Sequence, residues 1–123
     1  MKTETVLILL PVEYNPTKRG KQVQIPIKSF QDTAVEITKI FNLGCTLDIY
    51  PKHGIWVKSK IVYEDVNVIL EINNFSKSKE KQIINYCQDK LLARFRQKAI
   101  LIKFIPVQSI IVSQKRIEKK KKI

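Results

Sequence analysis

Few residues of this 123-residue chain have both the type and the company that catalysis needs. The single histidine, His53, stands in "YPKHGIW" between a proline and a glycine. A nucleophile-and-base relay needs a second group in hydrogen-bond reach, and none is spaced to supply it. His53 is therefore expected in a turn. Cys45 and Cys87 lie far apart without ligand-type neighbours. With one histidine they build no recognised coordination set, so no metal and no cofactor are expected, and both thiols are read as reduced and mostly buried.

Glu71 is the carboxylate that invites chemistry. In "VNVILEINN" it follows a run of apolar residues, and a carboxylate desolvated on a central strand either titrates high or needs a cation beside it. One reading is a general base or ligand anchor in a cleft, with Tyr63 and His53 as its polar companions. A structural carboxylate gives the same pattern. Trp56, Tyr50 and Tyr63 fall in the same region and could stack a base, but packing against a helix is their ordinary fate. The strands "VLILLPV" and "VNVILEI" carry no aromatic residue, which argues against an RNA-recognition platform. Three glycines leave no phosphate-cradling loop.

Charge offers a second kind of chemistry. The net charge of +12 is locally concentrated. In the terminal "QKRIEKKKKI", Lys115, Arg116, Lys119, Lys120, Lys121 and Lys122 stand against Glu118 alone. The stretch 76–98 sets Lys77, Lys79, Lys81, Lys90, Arg94, Arg96 and Lys98 against Glu80 and Asp89. Such an arm, beside Arg94 and Arg96, neutralises phosphates without reading bases and gives affinity that falls with salt. The leading expectation is therefore a non-enzymatic domain that binds nucleic acid or a nucleic-acid-bound complex. The alternatives are a small-molecule-binding domain or enzyme using a cleft at Glu71, and an assembly or adaptor protein with an acidic protein partner. A lysine-rich surface that serves only solubility explains the same charges.

The elements that must position these groups follow from periodicity. The run Val6–Val12 is apolar on both alternations and reads as a central strand; at seven residues it is too short to span a membrane. A loop rich in Pro16, Gly20 and Pro26 follows. Phe30, Ala34, Ile37 and Phe41 recur at helical spacing, with Ser29 as the cap and Gly44 as the stop. "CTLDIY", "IWVKSK" and "VNVILEINN" then read as strands, with a turn at "PKHG" and a hairpin connection near Tyr63, Glu64 and Asp65. Ile84, Cys87, Leu91 and Phe95 mark the buried face of a second helix capped by Ser76 or Ser78. "AILIKFIPVQSIIV" closes as a strand that Pro106 places at an edge.

The order β, α, β-hairpin, α, β is the ferredoxin-like split βαβ plan, an α+β class with an antiparallel sheet and two helices on one face. Residues 1–113 would form this single domain and 114–123 a basic tail. Leu7, Leu9 and Ile69 would then lie on the open face, where a sheet-to-sheet homodimer would cover them. A cytoplasmic location suits the reduced cysteines and the lack of a leader pattern.

The residues "LGCTLDIYPKHGIWV" and "QIINYCQDKLLARFRQKAILIKF" add a resemblance. Gly44, Thr46, Leu47, Gly54, Trp56, Glu64, Arg94, Phe95 and Gln97 resemble the scattered signature of a small bacterial domain family of unknown function. That resemblance implies a compact α+β domain and brings no activity with it.

Overall fold

The computed structural model describes residues 2–15 and 23–114, and the basic residues at 115–122 lie outside them. The chain runs β1 (Lys2–Pro11), α1 (Ile27–Phe41), β2 (Cys45–Lys58), β3 (Ile61–Phe75), a second helical run, and β4 (Leu101–Gln108). The strands form one sheet in the order β2-β3-β1-β4, every neighbour antiparallel. This is the expected ferredoxin-like arrangement. β1 begins four residues before the apolar run at Val6 and ends one before Val12.

Alternation along β1 and β3 decides which face is buried. Val6, Ile8 and Leu10 on β1, and Leu70 and Ile72 on β3, are sealed from solvent beneath Ile37 and Phe41 of α1 and Ile83 and Leu91 of the second helical run. Two tilted aromatic pairs fasten the layer. Phe30 meets Phe95 at 5.2 Å between ring centroids, and Phe41 meets Phe75 at 5.3 Å. Such a pair contributes about 0.5–1.5 kcal/mol beyond its area burial. Leu7, Leu9 and Ile69 point to the helix-free face and stay partly exposed. β4, with Pro106, is an edge strand as expected.

Five local expectations are corrected. The hairpin turns at Ser59 and Lys60, with φ of 52° and 65°, and not near Tyr63–Asp65. A tight two-residue connection needs this left-handed backbone at both positions. "PKHG" is then strand, with His53 inside β2. α1 starts at Ile27 behind Pro26, with no side-chain cap from Ser29, and it ends at Asn42, whose φ of 53° supplies the stop assigned to Gly44. In the second helical run Ile83 is buried and Ile84 exposed.

That last shift has a geometric cause. The run is built from a 3₁₀ turn (Lys77–Lys79), α2 (Glu80–Tyr86), a π turn (Cys87–Leu91) and α3 (Leu92–Arg94). Its buried stripe is Ile83, Cys87, Leu91 and Phe95, each four residues on. On a regular helix that spacing drifts by about 40° per step. The wider π turn takes up the drift and keeps the stripe on the sheet.

Candidate functional site

The open face of the sheet carries its polar groups in rows fixed by strand register. Thr46, Glu71, Leu7 and Lys103 are cross-strand partners in one row, and Asp48, Ile69, Leu9 and Leu101 in the next. Between β2 and β3 the register slips from Asp48↔Ile69 to Lys52↔Asn67, so Ile49, Tyr50 and Pro51 bulge out of the ladder. A bulge re-aims the side chains it carries. The Asp48 carboxylate pins this one: its Oδ1 accepts the Tyr50 backbone N–H at 3.0 Å, and its Oδ2 faces the Lys52 ammonium at 3.5 Å.

The result is a groove of about 450 Å³ on the open face. Leu7 and Ile69 make its apolar floor, Thr46 and Glu71 one end, and Asp48 with the bulged Tyr50 the other. Its size falls in the range of small-molecule sites, and its pattern of an apolar body with a few convergent polar groups is theirs as well. The Glu71 carboxylate accepts a hydrogen bond from the Asn73 amide at 3.3 Å, and Asn73 accepts one from the Thr5 hydroxyl at 3.2 Å. Among the described residues no basic side chain pairs with Glu71. Glu71 and Asp48 are diagonal neighbours on adjacent strands, about 7 Å apart by sheet geometry. Two acceptors at that separation, flanking apolar surface, suit a ligand with a positive centre and a flat or aliphatic body.

Tyr63 and His53 do not share this groove. His53 Nδ1 lies 2.7 Å from Glu64 Oε1 on the other side of the hairpin, and Tyr63 stacks on Trp56 at 4.5 Å between centroids, 16° from parallel. Trp56 thus packs on a cross-strand neighbour and not on a helix, and it stays 47% exposed. Asp48 was not singled out from the sequence, and Thr46 only through the family resemblance, since nothing short of the β2–β3 register brings them beside Glu71. "DIYP" held the one cue, a proline that breaks the ladder just after the aspartate.

A second groove, of about 410 Å³, lies on the helix side where the hairpin leaves the body. Ile25, Ile27, Phe30, Leu47, Ile49 and Val68 line it, and among the described residues no ionisable group does.

Arg94 and Arg96, two of the arginines assigned to an anionic partner, are both engaged within the chain. Arg94 Nη2 lies 2.6 Å from Glu36 Oε2, its Nη1 donates to the Thr33 hydroxyl at 2.9 Å, and the Tyr86 hydroxyl donates to Glu36 Oε1 at 2.8 Å. This network ties α1 to the second helical run. Burial works to raise the Glu36 pKa, but the bonds from Arg94 and Tyr86 outweigh it and hold the carboxyl below its ordinary range. Arg96, with φ of 49°, ends the helical run and lays its guanidinium 4.6 Å over the Tyr14 ring. Burial pushes the Cys87 thiol up to about 12, so it is inert at neutral pH. Cys45 is partly buried beside Thr38 and the Ala34 carbonyl.

Among the described residues no cluster of three or more His, Cys, Asp or Glu could hold a metal, and no helix is long and apolar enough to cross a membrane. By sequence the chain matches no protein family and no curated protein, so the resemblance to a small bacterial domain carries over in its α+β fold alone. By structure it is similar to a divalent cation tolerance protein (CutA1) from Thermus thermophilus, at 12% identity and a TM-score of 0.57, covering 97% of this chain and 93% of that one. It is also similar to a phage SAM lyase in complex with S-methyl-5'-thioadenosine (11% identity, TM-score 0.54, 86% of this chain and 89% of that one). The apo state of a phage SAM lyase gives 10% identity and a TM-score of 0.56, over 91% of this chain and 94% of that one. At these identities the likeness is one of fold: a small antiparallel α+β domain.

Proposed function

We propose that the chain is a small-molecule-binding domain whose site is the open-face groove between Glu71 and Asp48. The observation that carries this reading is the pairing of two carboxylates with an apolar floor in a chain of net charge +12. Lys52 already faces Asp48, whereas no described cation pairs with Glu71, so the Glu71 end of the groove is the part that favours a cationic ligand. Tyr50 supplies an exposed ring at one end for a flat group, Leu7 and Ile69 a floor for an aliphatic one, and Glu71 the anchor for a positive centre. A nucleoside sulfonium such as SAM has all three parts, and a phage SAM lyase is among the structures of similar fold. That makes SAM and S-methyl-5'-thioadenosine the first probes.

The test is calorimetric titration with both compounds. Saturable binding of SAM to the wild-type chain is expected, weakened roughly tenfold in Glu71→Gln, since the sulfonium donates no hydrogen bond and two unit charges about 4 Å apart attract by about 1–4 kcal/mol between bulk water and a protein surface. The uncharged thioether should bind more weakly than the sulfonium and lose less on that substitution. No SAM binding, or equal affinity in the variant, overturns the assignment to this ligand class and this anchor.

The electrostatic reading keeps one specific support, the charge of Lys115, Arg116 and Lys119 to Lys122. Binding of duplex and single-stranded probes that falls steeply with salt and is lost on deleting 114–123 would favour it.

A further inference from the structure

β1 pairs with β3 only as far as Pro11↔Asn67. From Lys52 to Val66 the hairpin therefore continues as a ribbon of two strands beyond the four-stranded sheet. A two-stranded ribbon is marginal in water on its own, and this one is apolar on both faces. Ile55, Val57 and Val62 share one face; Trp56, Ile61 and Tyr63 share the other. Ile55 is 73% and Val62 67% exposed, and Tyr50 at the root is 74% exposed. With Ile49, these residues leave roughly 1,000 Å² in solvent, divided between the two faces and the root, so the arm reaches the about 800 Å² per partner of a stable interface when a second copy covers both faces. Each face alone carries roughly a few hundred Å², the size of the largest apolar patch on a typical monomer, which is often functional.

Charge says what covers it. Lys52, Lys58 and Lys60 on the ribbon are nearly balanced by Glu64 and Asp65, while the chain as a whole is +12. Two copies of so basic a chain repel each other over most of their surfaces, and this near-neutral, apolar ribbon is where they meet at least cost. A nucleic acid or acidic protein has no reason to choose it. The apolar groove on the helix side continues the same surface, through Ile49 and Pro51, onto the body of the domain.

We infer that the ribbon is a self-association arm that docks onto a second copy of this chain. This surface differs from the sheet-to-sheet contact expected from Leu7, Leu9 and Ile69; it shares Ile49 and Tyr50 with the open-face groove, while Ile55, Trp56, Val57 and Val62, on which its test rests, lie outside that groove.

Trp56 is the only tryptophan in the sequence and sits in the arm. Light scattering after gel filtration, at tens of micromolar full-length chain, should give at least twice the monomer mass. Trp56 emission should shift to the red on dilution. Ile55→Lys with Val62→Lys should yield a monomer with unchanged far-UV dichroism and red emission at every concentration, because both side chains already face solvent in the single chain. Val57→Asn, a milder change at an exposed position, should weaken association in the same direction without a charge. A wild-type monomer with solvent-like Trp56 emission at high concentration overturns the inference. So does an oligomer whose mass none of these substitutions changes.

Discussion

Glu4 is the side chain this fold accommodates least comfortably. It is only 7% exposed, its Oε2 has no hydrogen-bond partner, and the Glu80 carboxyl lies beside it. The bond with Glu80, then burial, then repulsion from Glu80 raise its pKa above 4.5, and Lys77 offsets part of the rise. A raised folded-state pKa means that the protonated form is favoured in the fold. The stability it contributes is full below the ordinary carboxylate range and is lost as pH rises through the raised value. Glu4→Gln keeps the shape without the charge. It should stabilise the protein at pH 7 by about 1 kcal/mol, and the gain should shrink at pH 4; a gain of equal size at both pH values contradicts this account of Glu4. Glu36 has the opposite sign: held low by Arg94 and Tyr86, it contributes stability above the ordinary range that is lost as pH falls through its lowered value. Arg94→Met should lower the urea midpoint by the equivalent of about 1–2 kcal/mol, reduced from a fully buried pair because both side chains keep some solvent.

At the level of elements, the hairpin turn is the most improvable feature. Ser59 and Lys60 both adopt left-handed backbone, which costs a side-chain-bearing residue about 1–2 kcal/mol. Lys60→Gly should therefore raise the thermal midpoint, corresponding to about 1 kcal/mol; an unchanged or lower midpoint would mean that the turn is not strained. The same turn shows why this part of the fold was hard to read. With neither asparagine nor glycine at its centre it gave no signal, whereas "PKHG" gave a false one and became strand because its neighbours on β3 pair with it. Strand β1 was legible as an unbroken apolar run, and β3 because the alternation of Val68, Leu70 and Ile72 maps onto one buried face. The second helix was legible as a helix, but its stripe was misplaced by one residue at Ile83, since a π turn leaves no mark in composition. Glu71 stood out as a carboxylate in an apolar strand. Its neighbours Thr46 and Asp48 are set by a bulge that only pairing reveals.

Over the whole molecule, a single sheet shielded on one side leaves the chain with two unlike surfaces. The helix side holds the core and the ion-pair network that engages Arg94. The open side holds the groove between Glu71 and Asp48, with Lys52 on Asp48 and Lys103 two strands along the row from Glu71. The ribbon extends both surfaces past the body and supplies the apolar area for assembly. The most direct measurement of the central claim is amide chemical-shift mapping during titration with SAM. Shifts that saturate at Leu7, Thr46, Asp48, Tyr50, Ile69 and Glu71, and that need roughly tenfold more SAM in Glu71→Gln, are expected. Shifts confined to the helix side or to the lysine-rich stretches, or no saturating shifts on the open face, would contradict it.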